Sequence, residues 1–163
     1  MVAFGSDVGG NGAESHAIPS QGRAVYLYGT FEHSMDDRGR VAVPAAFRRE
    51  LLDGGVLRPA EDGCLELYTH ESFTAKTEEV LGDSDTRTRI GRQRRRTFLS
   101  RAHGFQQLDR QGRIVIPPEM REHAGLDGRV VLVGLGDYVE LWDLELWESA
   151  DRDAEAAVAE GDA

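Results

Sequence analysis

One phrase occurs twice in this chain, and no other feature limits its fold as strongly. MDDRGRVAVP spans Met35–Pro44, and LDRQGRIVIP spans Leu108–Pro117, 73 positions further on. Each copy runs apolar residue, Asp, three residues ending in Gly, Arg, three strand-forming residues, Pro. The likeness continues beyond the phrase. CLELY at 64–68 matches YVELW at 138–142 at an offset of 74, and Glu71 and Phe73 match Glu145 and Trp147 at the same offset. A duplication that covers most of each half means that one supersecondary unit is built twice, and this decides the architecture.

The order of elements follows from local pattern. VYLYGTFEHSM alternates and is rich in aromatics, which predicts a strand. Asp36–Gly39 is a turn and RVAV a second strand; Pro44 then suits the first turn of a helix, where its missing N–H costs nothing. PAAFRRELL places Phe47, Leu51 and Leu52 on one helical face, and DGG stops that helix. GCLELYT alternates as a strand, and a helix is predicted from about His70 to Leu81. The second half repeats the order: GFQQL as a strand, Asp109–Gly112 as a turn, RIVI as a strand, and PPEMREHAG as a short helix with a Gly stop. RVVLVGLGDYVELWD reads as two strands across a Gly-rich hairpin, and a last helix starts near Leu144.

The repeated phrase has a physical logic. Gly39 and Gly112 take positive φ at little cost, as a tight turn requires. Asp36 and Asp109 accept hydrogen bonds from backbone N–H groups ahead of them, which starts the turn. Arg40 and Arg113 open the returning strand, where a salt bridge to the Asp would fix the direction of the guanidinium. A hairpin leading into a helix explains Asp and Gly completely, and this structural reading stands beside a functional one. It explains Arg less well. An exposed salt bridge is worth only about 0–1 kcal/mol, and Lys would serve as well. Arg is favoured where a planar fork meets phosphate or a guanine edge.

Charge distribution bears on the same choice. The net charge of −10 weighs against a nucleic-acid partner until it is mapped. Asp143–Ala163 holds eight acids and one Arg, whereas Thr86–Arg101 holds seven Arg and no acid. A local basic patch binds phosphate even in an acidic chain. The basic residues are eighteen Arg and one Lys (Lys76), a ratio that GC-rich coding also favours. The Arg run itself reads as a helix face that is solvated, or paired with acids of a neighbouring subunit, in preference to a DNA contact.

No apolar run is long enough to span a bilayer, and the N-terminal stretch lacks the apolar core of a signal peptide. The single cysteine, Cys64, excludes an intrachain disulfide and argues against a cysteine-built metal site. Together these features suggest a cytosolic protein. His33, His70, His103 and His123 have no metal-ligand spacing, and Cys64 in a strand reads as a small buried hydrophobe. No nucleophile elbow, Ser–His–Asp set or carboxylate dyad is visible, and GLGDYVE joins strands rather than opening a helix. Trp142 and Trp147 read as anchors for the last strand and helix. Neither an enzyme nor a cofactor or metal is expected.

YGTFEHSMDDRGRVAVPAAFRREL, GCLELY, LDRQGRIVIPPEMREHAGL and VVLVGLGDYVELWDLELWE together resemble the MraZ family over about residues 26–150. The resemblance implies tandem AbrB/SpoVT-type domains, each marked by Asp-x-x-x-Arg: here Asp36/Arg40 and Asp109/Arg113. The implied fold is α+β, mainly β: two swapped-hairpin β-barrel halves in one chain forming a pseudo-dimer, with flanking helices. The chain then divides into a disordered N-terminal extension (1–24), a first domain (25–84), an Arg-rich linker helix (85–102), a second domain (103–150) and an acidic C-terminal tail (151–163). Translation starting near Val25 is an alternative account of the extension.

The resemblance also implies a function. The family regulates transcription of the bacterial division and cell-wall gene cluster, usually as a repressor. It binds short direct repeats in double-stranded promoter DNA as a ring-shaped homo-oligomer, in the cytoplasm and at the nucleoid, with no membrane partner. By analogy Arg40 leads the DNA contact with Arg38 beside it, and Arg113 and Arg110 serve in the second half. Asp36 and Asp109 would orient them, with Gly39 and Gly112 shaping the turns. Gln111 stands where the first half has Arg38, so the second loop is less basic there. The rival expectation is an AbrB-type antitoxin or another protein-interaction module without catalytic activity; a purely structural ring is the third.

Overall fold

A computed structural model describes residues 26–161, and the expectation for residues 1–24 lies outside them. Strand β1 (Leu27–Ser34) leads through the first turn to strand β2 (Arg40–Ala42). Helix α1 (Ala45–Arg48) follows Pro44 and tightens into a 3-10 turn over Arg49–Leu51. Strands β3 (Gly55–Pro59) and β4 (Leu65–Tyr68) precede helices α2 (His70–Leu81) and α3 (Arg89–Leu99). The second half supplies β5 (His103–Phe105), β6 (Arg113–Val115), α4 (Pro118–Ala124), β7 (Arg129–Gly136), β8 (Tyr138–Asp143) and α5 (Leu144–Ala159).

The helix ends follow from their residues. Thr69 and Ser72 form a reciprocal capping box at the start of α2, and the Asp143 carboxylate accepts from the N–H groups of Glu145 and Leu146 at the start of α5. Gly125 ends α4 in the left-handed region, at φ 63°. Of the three residues expected on the apolar face of the first helix, Phe47 and Leu51 are buried but Leu52 is exposed. The 3-10 turn removes Leu52 from the α-helical spacing that would have carried it inward.

Six strands form one antiparallel sheet in the order β1-β7-β8-β4-β3-β5, and β2 and β6 form a separate two-stranded ribbon. Exchange the corresponding strands of the two halves and the order reads the same in reverse. Each half's first strand therefore lies on the other half's third strand. The register keeps this relation: Glu66 stands opposite Glu140, and Val41 opposite Ile114. The repeat in the sequence has become a two-fold relation in the topology.

The sheet does not close into barrels, which corrects the expectation drawn from the resemblance. Its ends are β1 and β5, and the ladder that closure needs is missing between β1 and β2, where a single bridge joins Met35 to Val41.

The ribbon instead covers one face of the sheet. Val41, Val43, Ile114 and Ile116 pack with Leu57, Leu65, Leu67, Val130, Leu132, Val139 and Leu141, and Phe47, Leu51 and Met120 close the sides. Both halves build this one core. Fully burying each such aliphatic side chain contributes about 1.5–3 kcal/mol. The opposite face carries α2 and α3. There Tyr68 meets Phe73 with ring centroids 5.6 Å apart, Phe73 stacks on Phe98 at 6.0 Å, and the Arg58 guanidinium lies 4.2 Å from the centre of Phe98. Trp142 and Trp147 lie 6.0 Å apart at the junction of β8 and α5. Residues 151–159, expected as a tail, continue α5 and are exposed. Among the described residues, no helix is long and apolar enough to cross a membrane.

Candidate nucleic-acid interface

The two repeated phrases meet on the ribbon. Arg40 pairs in register with Val115, Val41 with Ile114, and Ala42 with Arg113. The ladder extends symmetrically on each side: the Val43 N–H donates to the Gly112 carbonyl and the Ile116 N–H to the Gly39 carbonyl, each at 2.8 Å. Each loop is thus bonded to the strand that leaves the other. Burial of Val41 and Ile114 on one side of the ribbon leaves the neighbouring Arg positions on the other.

The turns themselves are near-copies. Gly39 donates to the Asp36 carbonyl at 3.0 Å, and Gly112 to the Asp109 carbonyl at 2.9 Å. Their φ values are 80° and 75°, in the region that favours glycine. Asp36 Oδ1 accepts from the backbone N–H groups of Arg38 (3.0 Å) and Arg40 (2.9 Å), and its Oδ2 accepts from Arg40 Nε at 2.7 Å. Asp109 Oδ1 accepts from Gln111 (2.8 Å) and Arg113 (2.9 Å), and its Oδ2 from Arg113 Nε at 2.8 Å. Each carboxylate therefore shapes the turn with one oxygen and aims a guanidinium with the other.

These bonds favour the charged carboxylate. The Arg40 backbone N–H, then its side chain and the Arg38 N–H, hold Asp36 below its ordinary 3.8. The Arg113 backbone N–H, then its side chain and the Gln111 N–H, do the same for Asp109. Each Arg gives Nε to its own Asp and keeps its terminal nitrogens for other partners. Arg40 and Arg113 are partly exposed, with about a third of each side chain accessible (31% and 27%).

Arg38 and Arg110 are exposed in the turns but are not counterparts. Arg38 occupies the third turn position, matched by Gln111, and Arg110 the second, matched by Asp37. The ribbon brings Asp36, Gly39, Arg40, Asp109, Gly112 and Arg113 together; Arg38 and Arg110 sit at the tips.

Two arginines escape a reading of the sequence alone. Arg48, at the end of α1, lies over Gly112, where an added Cβ would stand 2.6 Å from its Nε. Arg121, in α4, lies over Gly39, where a Cβ would stand 2.8 Å from its Cζ. Arg48 Nη2 is further held by the Val43 carbonyl at 3.0 Å. Each helix thus lays a guanidinium on the other half's turn, in space that glycine leaves open. Arg48 and Arg121 are separated by the same 73 positions as the phrase, and that offset is the signal that could have found them. Four guanidinium groups surround the ribbon. Such an arrangement offers a cluster of planar donors suited to phosphate oxygens and base edges.

Three side chains outside the ribbon have structural roles: Cys64, Arg94 and Arg95. Cys64 is buried and free, and burial, with Glu140 and Glu66 nearby, pushes its thiol up, so it stays protonated. In α3, Arg94 Nη2 and Arg95 Nε donate to the Val80 and Ser84 carbonyls, each at 3.2 Å, tying the helix to the end of α2.

A family model described as "MraZ protein, putative antitoxin-like" matches residues 26–92 and 99–163. A protein of Thermomicrobium roseum, named a transcriptional regulator of this family, is 40% identical over 137 residues, covering 82% of this chain and 90% of its own. The similarly named protein of Kineococcus radiotolerans is 39% identical over 132 residues, covering 81% and 91%. That of Kocuria rhizophila is 37% identical over the same length, again covering 81% and 91%.

Proposed function

Because this chain belongs to the MraZ family, we propose that it is a transcriptional regulator that binds double-stranded DNA through the β2–β6 ribbon. The observation that carries the proposal is the doubled clamp: two Asp-aimed arginines in register on one ribbon, with Arg48 and Arg121 beside them. Arg40 is the leading contact, with Arg38 at its turn tip; Arg113 and Arg110 are the second-half contacts. Asp36 and Asp109, with Gly39 and Gly112, set their direction.

On this reading the two halves form a pseudo-dimer with exchanged first strands, and several copies assemble into a ring that presents many ribbons to upstream direct repeats. One loop with a few arginines binds weakly. Several loops on several repeats multiply through effective concentration. The regulated genes are the division and cell-wall cluster, the effect is repression, and the site of action is the cytoplasm and nucleoid. No catalytic step is involved.

Fluorescence anisotropy with duplex DNA from upstream of the protein's own gene tests the reading. Wild type is expected to bind with log affinity falling linearly with log salt, by about 0.9 per phosphate neutralised. Arg40→Ala should remove specific binding while leaving a folded protein, and Arg113→Ala apportions the second half. Equal binding by wild type and Arg40→Ala, or binding indifferent to salt, would overturn it.

A further inference from the structure

Helix α5 runs on past its own support. Its first turns rest on β7 and β8, with Leu144, Trp147 and Ala150 half-buried. From Asp151 to Gly161 every residue is exposed. A free helix of this length is marginal in water, so the arm needs a surface to lie on. At helical spacing Ala150, Ala154, Ala157 and Val158 make one stripe, and Val158 is 62% exposed. Asp151 and Glu155 border the stripe on one side and Asp153 on the other, while Arg152 faces away from it.

Helix α3 offers the complementary face. Gly91 and Phe98 are buried, which fixes its inner side. Arg89 and Arg96 line the outer side, next to the flank that carries Ile90, which is 74% exposed; Arg92 lies on the other flank, where its Nη1 donates to the Thr86 carbonyl. No acid lies between Thr86 and Arg101, and among the described residues the one ion pair made by the arginines of this segment is Arg87–Asp85, outside the helix. An exposed apolar residue bordered by arginines faces solvent here, and an exposed apolar stripe bordered by carboxylates stands at the end of the same chain.

We infer that the α5 arm of one copy seats on α3 of a second copy, with its Ala/Val stripe over Ile90 and its acids against Arg89 and Arg96. Donor and acceptor are different surfaces, so the contact is head-to-tail and propagates into a ring where the rotation closes. The inference rests on the oligomer in the proposed function and adds the surfaces that build it. It is also compatible with DNA binding, because α3 packs through Phe98 on the sheet face opposite the ribbon core. Such pairs are individually weak and screened by salt, so the contact should loosen as salt rises.

Sedimentation velocity and native mass measurement on the full chain test this. Arg89→Glu with Arg96→Glu should shift the protein to smaller species at concentrations where wild type is assembled. Asp151→Arg with Glu155→Arg should do the same, and combining all four should restore assembly. All four positions are exposed, and thermal melting of each variant checks the fold. A protomer-sized wild type at every concentration would remove the oligomer reading itself. Assembled wild type with both half-swaps unchanged, or no rescue by the combination, would overturn only the helix pairing. If the α3 swap keeps its mass but weakens binding to a non-cognate duplex, the arginine face belongs to phosphate and the pairing is likewise overturned.

Discussion

Arg113 reaches the aspartate of the other turn: its Nη1 lies 3.8 Å from Asp36 Oδ2, while its Nε holds Asp109 Oδ2 at 2.8 Å. Arg40 pairs with Asp36 alone among the described residues. The two clamps are therefore unequal, because Asp36 bears on both arginines and Asp109 on one.

This inequality predicts unequal variants. Asp36→Ala should loosen both guanidinium groups, whereas Asp109→Ala leaves Arg113 a second partner. A lost Arg contact to a base is worth about 1–3 kcal/mol, or roughly 5- to 150-fold in affinity. Asp36→Ala is expected to lose that much for the upstream duplex by anisotropy, and Asp109→Ala clearly less. Equal losses would count against a shared Asp36.

The turn glycines should be more sensitive than their φ values alone suggest. Gly39 and Gly112 have positive φ, and each also lies under an Arg. Gly63 has φ 91° and nothing within 4 Å of where a methyl would stand, so Gly63→Ala isolates the backbone strain. That strain is about 1–3 kcal/mol. Gly39→Ala and Gly112→Ala should cost more than Gly63→Ala in urea unfolding, because Arg121 or Arg48 must also move. The same cost at all three positions would show that these guanidinium groups yield freely.

Much of the plan is legible in the sequence because the duplication is strong. The two turns, the strand after each, and the helices starting near His70 and Leu144 follow from phrase, period and caps. Strand β3 does not. It is five residues long, begins with Gly and ends with Pro, and so carries almost no local signal. Its counterpart β7 reads easily, and transferring it by the repeat offset would find β3. The pairing of β1 with β7 is invisible to local pattern, since it joins residues about a hundred positions apart. Arg48 lies off the apolar face of its helix, where sequence alone gives it no partner. The contacts of Arg48 and Arg121 with the opposite glycines exist only once the halves are interleaved.

The ribbon should be stabilised chiefly from beneath. Val41 and Ile114 are directly paired and buried at 0% and 3% exposure. Ile114→Ala should cost about 2–5 kcal/mol. For a chain of this size that is about 2–4 °C of melting temperature per kcal/mol. Because the two side chains touch one core, the double variant with Val41→Ala should be non-additive by about 0.5–3 kcal/mol. Additive losses in a double-mutant cycle would mean that the two loops are supported independently.

Acid should dissolve the clamps in a defined direction. Asp36 and Asp109 are held below 3.8 in the folded protein, chiefly by the N–H groups of Arg40 and Arg113. Well above 3.8 both are charged whether the chain is folded or not, and their contribution to stability is complete. As the pH falls through 3.8, the unfolded chain takes up protons first and gains on the folded state. Once the pH drops below the lowered folded values, the contribution is gone. Asp36→Asn with Asp109→Asn has no such carboxylates. Its stability deficit against wild type should be constant at neutral pH and narrow as the pH falls below about 4. Urea midpoints of the two proteins across the acid range measure the gap. A gap of constant size would mean that the turn N–H groups do not discriminate the charged carboxylate from its neutral form.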